Sequence, residues 1–138
     1  MSRDSVLVLC TGNSCRSVMA EALVNALRGD QYEAFSAGSQ PTGQINPGAL
    51  ATLERHGIAQ GAPISESWDV YADTPFRYVI TVCDSAAAET CPLFPGPAEK
   101  LHWGTPDPSH VTGTNAEIEA AFDAAFAKLK RHVEEDLP

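Results

Sequence analysis

The sequence predicts an α/β fold: a single domain in which a four-stranded parallel sheet is flanked by helices. Strand-like apolar segments alternate with longer segments of helical periodicity, which is typical of parallel sheets. The first apolar segment lacks polar alternation, as expected for a strand covered by helices on both faces. The chain has 138 residues, 43% of them hydrophobic, enough for one core but few for two, so residues 1–138 are treated as one domain.

The strands are predicted from short segments. SVLVLC is the wholly apolar first strand, YEAFSAG and FRYVITVC give the second and third, and KLHW gives a brief fourth. Their ranges are 5–10, 32–38, 76–83 and 100–103. The segments rich in Gly, Pro, Ser and Thr at 39–45, 60–75 and 84–113 are predicted to be loops.

The helices are predicted from periodicity and capping. Residues 17–28 repeat Met19, Leu23 and Leu27 on one face, and Gly29 follows. The second helix opens at Pro47 after the capping residue Asn46 and stops at Gly57. The third opens at Asn115 and keeps helical spacing through apolar residues, namely Ile118, Phe122, Ala125, Leu129 and Val133.

The charge balance limits the classes of partner. Nine basic and eighteen acidic residues give a formal net charge of -9, which disfavours nucleic acid and anionic membrane surfaces as partners. An anion therefore needs a local positive site. No segment has the length of a signal peptide core or a membrane span, so a cytoplasmic location is expected.

The four cysteines favour redox or nucleophilic chemistry. Cytosolic thiols are kept reduced, which argues against static disulfides. Four residues separate Cys10 from Cys15 and seven separate Cys83 from Cys91, whereas common zinc sites use a two-residue separation. Each cysteine alone could still be a small buried hydrophobic residue.

The loop after the first strand carries the strongest signal. Cys10 stands at the carboxyl end of that strand, where parallel sheets bind ligands. Gly12 and Asn13 tolerate left-handed backbone angles, so the loop can turn its amides inward to hold an oxyanion and favour a thiolate. Arg16 offers a bidentate fork, and Ser17 can donate to the Cys10 sulfur. The oxyanion-binding residues are predicted to be Thr11, Gly12, Asn13, Ser14, Cys15, Arg16 and Ser17.

The stretch CTGNSCRSVMAEA resembles the phosphate-binding loop of the low-molecular-weight protein tyrosine phosphatase superfamily, and the whole chain resembles its thioredoxin-coupled arsenate reductase branch. The resemblance implies arsenate as substrate, with phosphate or sulfate as competing oxyanions. It also implies catalytic roles for Cys10 as nucleophile, Arg16 as oxyanion clamp, Ser17, and Asp107 in HWGTPDPS as general acid. Without the resemblance, Asp107 reads as a turn-forming residue.

The other thiols bear on which reaction is expected. Cys83 closes the third strand at the same sheet edge as Cys10, and Cys91 follows on a predicted loop. The resemblance implies a relay in which Cys83 attacks arsenate-bound Cys10 and Cys91 then attacks Cys83. A thioredoxin or glutaredoxin-type reductant would restore the thiols.

Two other functions stay open. One is a phosphatase of phosphotyrosine or a small phosphoester, and the other is an oxyanion- or redox-sensing module without turnover. The resemblance also implies no tightly bound cofactor except a structural K⁺, held by Asn13, Glu21 and Ser36, with Asp69 as candidate fourth ligand. His102 and His110 are expected to be surface or loop-packing residues.

Overall fold

The computed structural model describes residues 3–61, 63–84, 94 and 96–138. In these ranges the chain forms four strands and three α-helices. Their order is β1 Asp4–Cys10, α1 Arg16–Leu27, β2 Tyr32–Gly38, α2 Pro47–Arg55, β3 Tyr78–Thr81, β4 Glu99–His102 and α3 Asn115–Glu135. Short 3-10 helices occupy Trp68–Tyr71 and Pro108–His110.

The sheet is four-stranded and parallel throughout, in the order β2-β1-β3-β4, which confirms the predicted fold class. The first strand, β1, lies between β2 and β3. Its Cys10 pairs with Gly38 of β2, and its Leu9 pairs with Thr81 of β3. The chain therefore leaves a central strand at Cys10. This residue lies at the carboxyl ends of the strands, where parallel sheets bind ligands.

The central strand is buried on both faces, as its apolar sequence predicts. Val6 and Val8 pack with side chains of the three helices, whereas Leu7 and Leu9 pack with a second cluster that includes Phe76 and Phe94. The expectation of helices on both faces is wrong for the described ranges: the three α-helices pack on one face, and the 3-10 helix with its surrounding aromatic residues covers the other. Trp68 packs near Phe94 in this cluster, with ring centroids 6.1 Å apart.

Several element ends differ from the prediction by one or two residues. The third strand is shorter than 76–83, although Arg77 and Val82 each add a backbone hydrogen bond to β1. Leu27, predicted to share the buried face of α1, is the last residue of that helix and is 36% exposed. No helix in the described part of the chain has the length and apolar character needed to span a membrane.

Candidate functional site

The loop between β1 and α1 is shaped by contacts to its carbonyl oxygens. The Thr11 carbonyl accepts from the Gln40 amide at 2.9 Å, and the Gly12 carbonyl accepts from the Thr42 amide at 3.0 Å. The Ser65 hydroxyl donates to the same Gly12 carbonyl at 3.1 Å. Because a peptide N–H points away from its own C=O, these outward bonds turn loop amides toward the interior.

Two backbone positions allow this curvature. Asn13 has a positive φ of 46°, a conformation that asparagine adopts more readily than most residues. Gly38 passes so close to the loop that a Cβ at this position would lie 2.4 Å from the Thr11 carbonyl oxygen. The glycine that ends β2 is therefore needed for the loop to close.

The sulfur of Cys10 lies at the base of this loop and is 3% exposed. It accepts a hydrogen bond from the Asn13 backbone amide at 3.2 Å and lies 2.9 Å from the Ser17 hydroxyl oxygen. The Asn13 side-chain amide donates to that hydroxyl oxygen at 2.9 Å. Since the Ser17 hydroxyl oxygen accepts a hydrogen bond from Asn13, the Ser17 hydroxyl proton can point at the Cys10 sulfur. This hydrogen bond favours negative charge on the sulfur.

Arg16 is held rigidly beside the loop. The buried guanidinium donates through Nη1 to the carbonyl oxygens of Thr105 at 2.9 Å and Val82 at 3.3 Å. Its Nη2 lies 3.5 Å from Oδ2 of Asp107. These contacts fix the plane of the fork in advance of binding, so little side-chain entropy remains to be lost.

Cys15 precedes α1 and packs in the core. It is 4% exposed and forms no side-chain cap on the helix. Burial raises the pKa of its thiol far above the ordinary range, and the nearby Asp107 and Cys10 raise it further. The thiol is therefore neutral at physiological pH, and an uncapped helix N-terminus remains directed at the loop.

Cys83 lies two residues beyond the end of β3, which is the strand next to β1 and its Cys10. Its side chain is fully buried and is disulfide-bonded, whereas Cys10 and Cys15 are free thiols. The predicted relay partner, Cys91, lies outside the described residues. Two cysteines in different redox states thus share the ligand-binding edge of the sheet.

Asp107 reaches the site from the segment after β4. Its Oδ1 accepts hydrogen bonds from the Ser109 backbone amide at 2.9 Å and the Ser109 hydroxyl at 2.6 Å, which caps the 3-10 helix. Its Oδ2 faces Arg16, as described above. The side chain is 19% exposed. A carboxyl group is therefore fixed next to the arginine that would hold an oxyanion.

A polar network continues behind the loop toward Glu21. The Asn13 side-chain amide also donates to the Ser36 hydroxyl at 3.0 Å, and that hydroxyl donates to Glu21 at 2.9 Å. The Glu66 backbone amide donates to the Asn13 side-chain oxygen at 2.9 Å. Burial raises the pKa of Glu21 to about 7, the Ser36 hydrogen bond lowers it, and the Glu66 charge adds to the increase.

The structure does not bring Asp69 into this network. Asp69 is exposed at the first turn of the 3-10 helix, where its backbone amide donates to the Ser67 hydroxyl. Glu66, which the sequence did not single out, is the carboxylate beside Glu21 and accepts a 2.7 Å hydrogen bond from Tyr71. An isolated bridge between Gly38 and Ser67 places this residue next to the loop, and no local pattern in the sequence indicates that pairing.

A buried thiol under inward-facing amides, next to a fixed arginine and a carboxyl group, is an arrangement suited to binding an oxyanion. The profile of the family described as low molecular weight phosphotyrosine protein phosphatase matches residues 5–137, and the chain belongs to this family. It is 35% identical over 138 residues to an arsenate reductase of Shouchella clausii, covering 97% of this chain and 98% of the relative.

Solved structures agree with this placement. An arsenate reductase in the phosphate binding state superposes with a TM-score of 0.76 at 25% identity, covering 95% of this chain and 94% of the other. A thioredoxin-dependent arsenate reductase from Corynebacterium glutamicum superposes with a TM-score of 0.62 at 27% identity, covering 98% of this chain and 64% of the other.

Proposed function

We propose that this protein reduces arsenate to arsenite with its own thiols. The observation that carries the proposal is a second cysteine: Cys83 is disulfide-bonded at the same end of the sheet where Cys10 lies in the loop. A phosphatase requires only the loop thiol. Relatives that match nearly the whole chain are named arsenate reductases, which supports the same conclusion.

The first step uses the loop. Arsenate is held by the inward amides of Thr11 to Ser17 and by the fork of Arg16, which compensate its negative charge. The Cys10 thiolate attacks arsenic, a sulfur–arsenic bond forms, and one arsenic–oxygen bond breaks. Asp107 donates a proton to the leaving oxygen, which departs as water.

The second step moves the electrons. The Cys83 thiolate attacks the Cys10 sulfur, the sulfur–arsenic bond breaks, and its electron pair stays on arsenic, which leaves as arsenite. Cys91 then attacks Cys83 and releases the Cys10 thiolate. A disulfide-bonded Cys83 beside a free Cys10 thiol is the state that this sequence of steps leaves behind.

The oxidised pair needs two electrons from an external dithiol. We propose a thioredoxin-type donor, with support from the Corynebacterium glutamicum neighbour, which is named thioredoxin-dependent. A glutaredoxin-type donor is the alternative. Because such donors are kept reduced in the cytoplasm, that compartment is the proposed location.

The test is a coupled assay of NADPH consumption with arsenate, thioredoxin and thioredoxin reductase. Continuous NADPH consumption with matching arsenite release is expected. Exchange for glutaredoxin and glutathione identifies the donor. Hydrolysis of phosphotyrosine with arsenate acting only as an inhibitor would establish the phosphatase instead, and a single round of oxidation without turnover would establish the sensing module.

We also propose that K⁺ binds behind the loop, with Glu66 in the place predicted for Asp69. The candidate ligands are all oxygen donors, which suit a hard cation: Asn13, Glu21, Ser36 and Glu66. Among the described side chains, Glu21 accepts a hydrogen bond from Ser36 and has no cationic partner. When bound, the ion would compensate buried negative charge and hold Asn13, which orients Ser17.

The pH dependence of stability tests this proposal. The pKa of Glu21 is about 7 in the folded chain against an ordinary value of 4.5, so the folded chain keeps a proton that the unfolded chain releases. Stability in K⁺-free buffer is expected to fall by roughly 2–3 kcal/mol as the pH rises through this window. K⁺ should restore it above pH 7, because binding to the folded state alone is stabilising.

Chemical denaturation at several pH values measures this effect. Glu21→Gln should flatten the pH dependence and remove the K⁺ effect, whereas the exposed Glu54→Gln should behave like the parent. Equal stability of the parent with K⁺ and with the larger cation tetramethylammonium at high pH would rule out the ion site.

A further inference from the structure

The two carboxylate oxygens of Asp107 have different surroundings. Oδ1 already accepts two hydrogen bonds, from the amide and the hydroxyl of Ser109. An acid that must donate a proton would therefore carry it on Oδ2, the oxygen directed at the site. After each donation, that oxygen has to be protonated again.

Two basic side chains of the described residues face Oδ2. Arg16 lies 3.5 Å away through Nη2, and His110 lies 3.5 Å away through Nε2. A guanidinium stays protonated at all relevant pH values and cannot supply the proton. An imidazolium can release a ring proton, so His110 is the neighbour of Oδ2 that can supply it.

The position of His110 also connects Oδ2 to solvent. Its side chain is 83% exposed, whereas Asp107 is 19% exposed. Both residues belong to one short turn, in which the His110 backbone amide donates to the Asp107 carbonyl at 3.3 Å. Because 3.5 Å slightly exceeds an ordinary N–H···O distance, transfer requires only a small rotation of the exposed ring.

We propose that His110 is the positioning residue that returns a proton to Asp107 in every catalytic cycle; this rests on the proposed arsenate reduction. The imidazolium passes its Nε2 proton to Oδ2, and the neutral ring then takes a proton from solvent. Asp107 gives that proton to the leaving oxygen. No electron moves, so the step is independent of the thiol relay.

The other groups near Asp107 do not replace this supply. In the described part of the chain, Arg16 from α1 and the Cys15 thiol are the charged or titratable groups that face it from the loop side. The first does not release its proton, and the thiol is buried and too weak an acid. Solvent itself remains as a slower donor.

His110→Ala is expected to lower kcat for arsenate by about tenfold near neutral pH, and by less at alkaline pH, where little imidazolium is left to act as donor. This is a smaller loss than the 10²–10⁴-fold typical of a general acid itself. The loss should shrink at acidic pH, where solvent protons reach Asp107 directly. Added imidazole should restore the rate, and unfolding should be unchanged. The matched control is His56→Ala, a half-exposed histidine paired with Asp123, which should show neither loss nor rescue.

A rate and pH profile for His110→Ala equal to the parent's would overturn the proposal, as would equal stimulation of parent and His56→Ala by imidazole. If the parent does not reduce arsenate, the proposed function fails separately. The same rescue is then followed in hydrolysis of phenyl phosphate, whose poor leaving group requires the same acid. Absence of rescue in that reaction would also overturn the proposal.

Discussion

Cys83→Ser is expected to stop arsenate turnover and to leave oxyanion binding by the loop intact. The variant is expected to bind arsenate and form the Cys10 adduct, but to release no arsenite above background, because the thiolate that attacks the Cys10 sulfur is missing and the buried Cys15 thiol is protonated. A serine hydroxyl is nearly the same size, so the fully buried site should tolerate it. Arsenite release coupled to NADPH consumption measures the loss.

The internal control is hydrolysis of an aryl phosphate, which needs Cys10, Arg16 and Asp107 but not Cys83. The variant should retain this activity at a rate close to the parent's. Full arsenate turnover by Cys83→Ser would refute the relay, and loss of both activities together with a lower melting temperature would show that the substitution disturbs the fold instead.

Arg16→Lys is expected to lower kcat/KM for arsenate by about 10²–10³-fold, the range found when one preset donor to a developing oxyanion is removed. An ammonium group lacks the planar fork and cannot serve both the anion and two carbonyls. The Thr105 carbonyl would lose its Arg16 donor, which costs about 1–3 kcal/mol of stability if it stays buried, whereas the Val82 carbonyl keeps the Thr105 amide as donor.

Steady-state kinetics and denaturation of the same preparation separate these two effects. Arg55→Lys is the matched control, because Arg55 is a partly exposed residue that forms ion pairs with Glu119 and Asp123 on the helical face. This variant should keep full activity. Unchanged kcat/KM in Arg16→Lys would mean that the amides alone hold the oxyanion.

The fold was predictable because its main signals are local. The wholly apolar β1 predicts burial on both faces, and Asn46 with Pro47 predicts the start of α2, where the Asn46 side chain accepts from the Gly48 amide at 2.8 Å. Strand ends were less predictable. The regular pairing of β3 with β1 stops at Tyr78 and Thr81, and this limit depends on the position of β1 rather than on the sequence of β3 itself.

The site was predictable only where one segment carries it. Cys10, Arg16 and Ser17 lie in one continuous segment from the end of β1 to the start of α1, so their spacing in the sequence predicts that they lie close together. Glu66 reaches the network through a bridge between Gly38 and Ser67, a contact distant in sequence that leaves no periodic pattern. His110 was expected to be a surface residue, and its place beside Oδ2 of Asp107 depends on how the 3-10 turn bends.

The central claim is that arsenic receives its two electrons from Cys10 and Cys83. The most direct measurement is an anaerobic single turnover of the reduced chain with one equivalent of arsenate, followed by thiol alkylation and peptide mapping. We predict one arsenite per chain and a final disulfide between Cys83 and Cys91. Cys10 and Cys15 should remain reduced and therefore be alkylated. Arsenite release that leaves Cys83 alkylated would contradict the account.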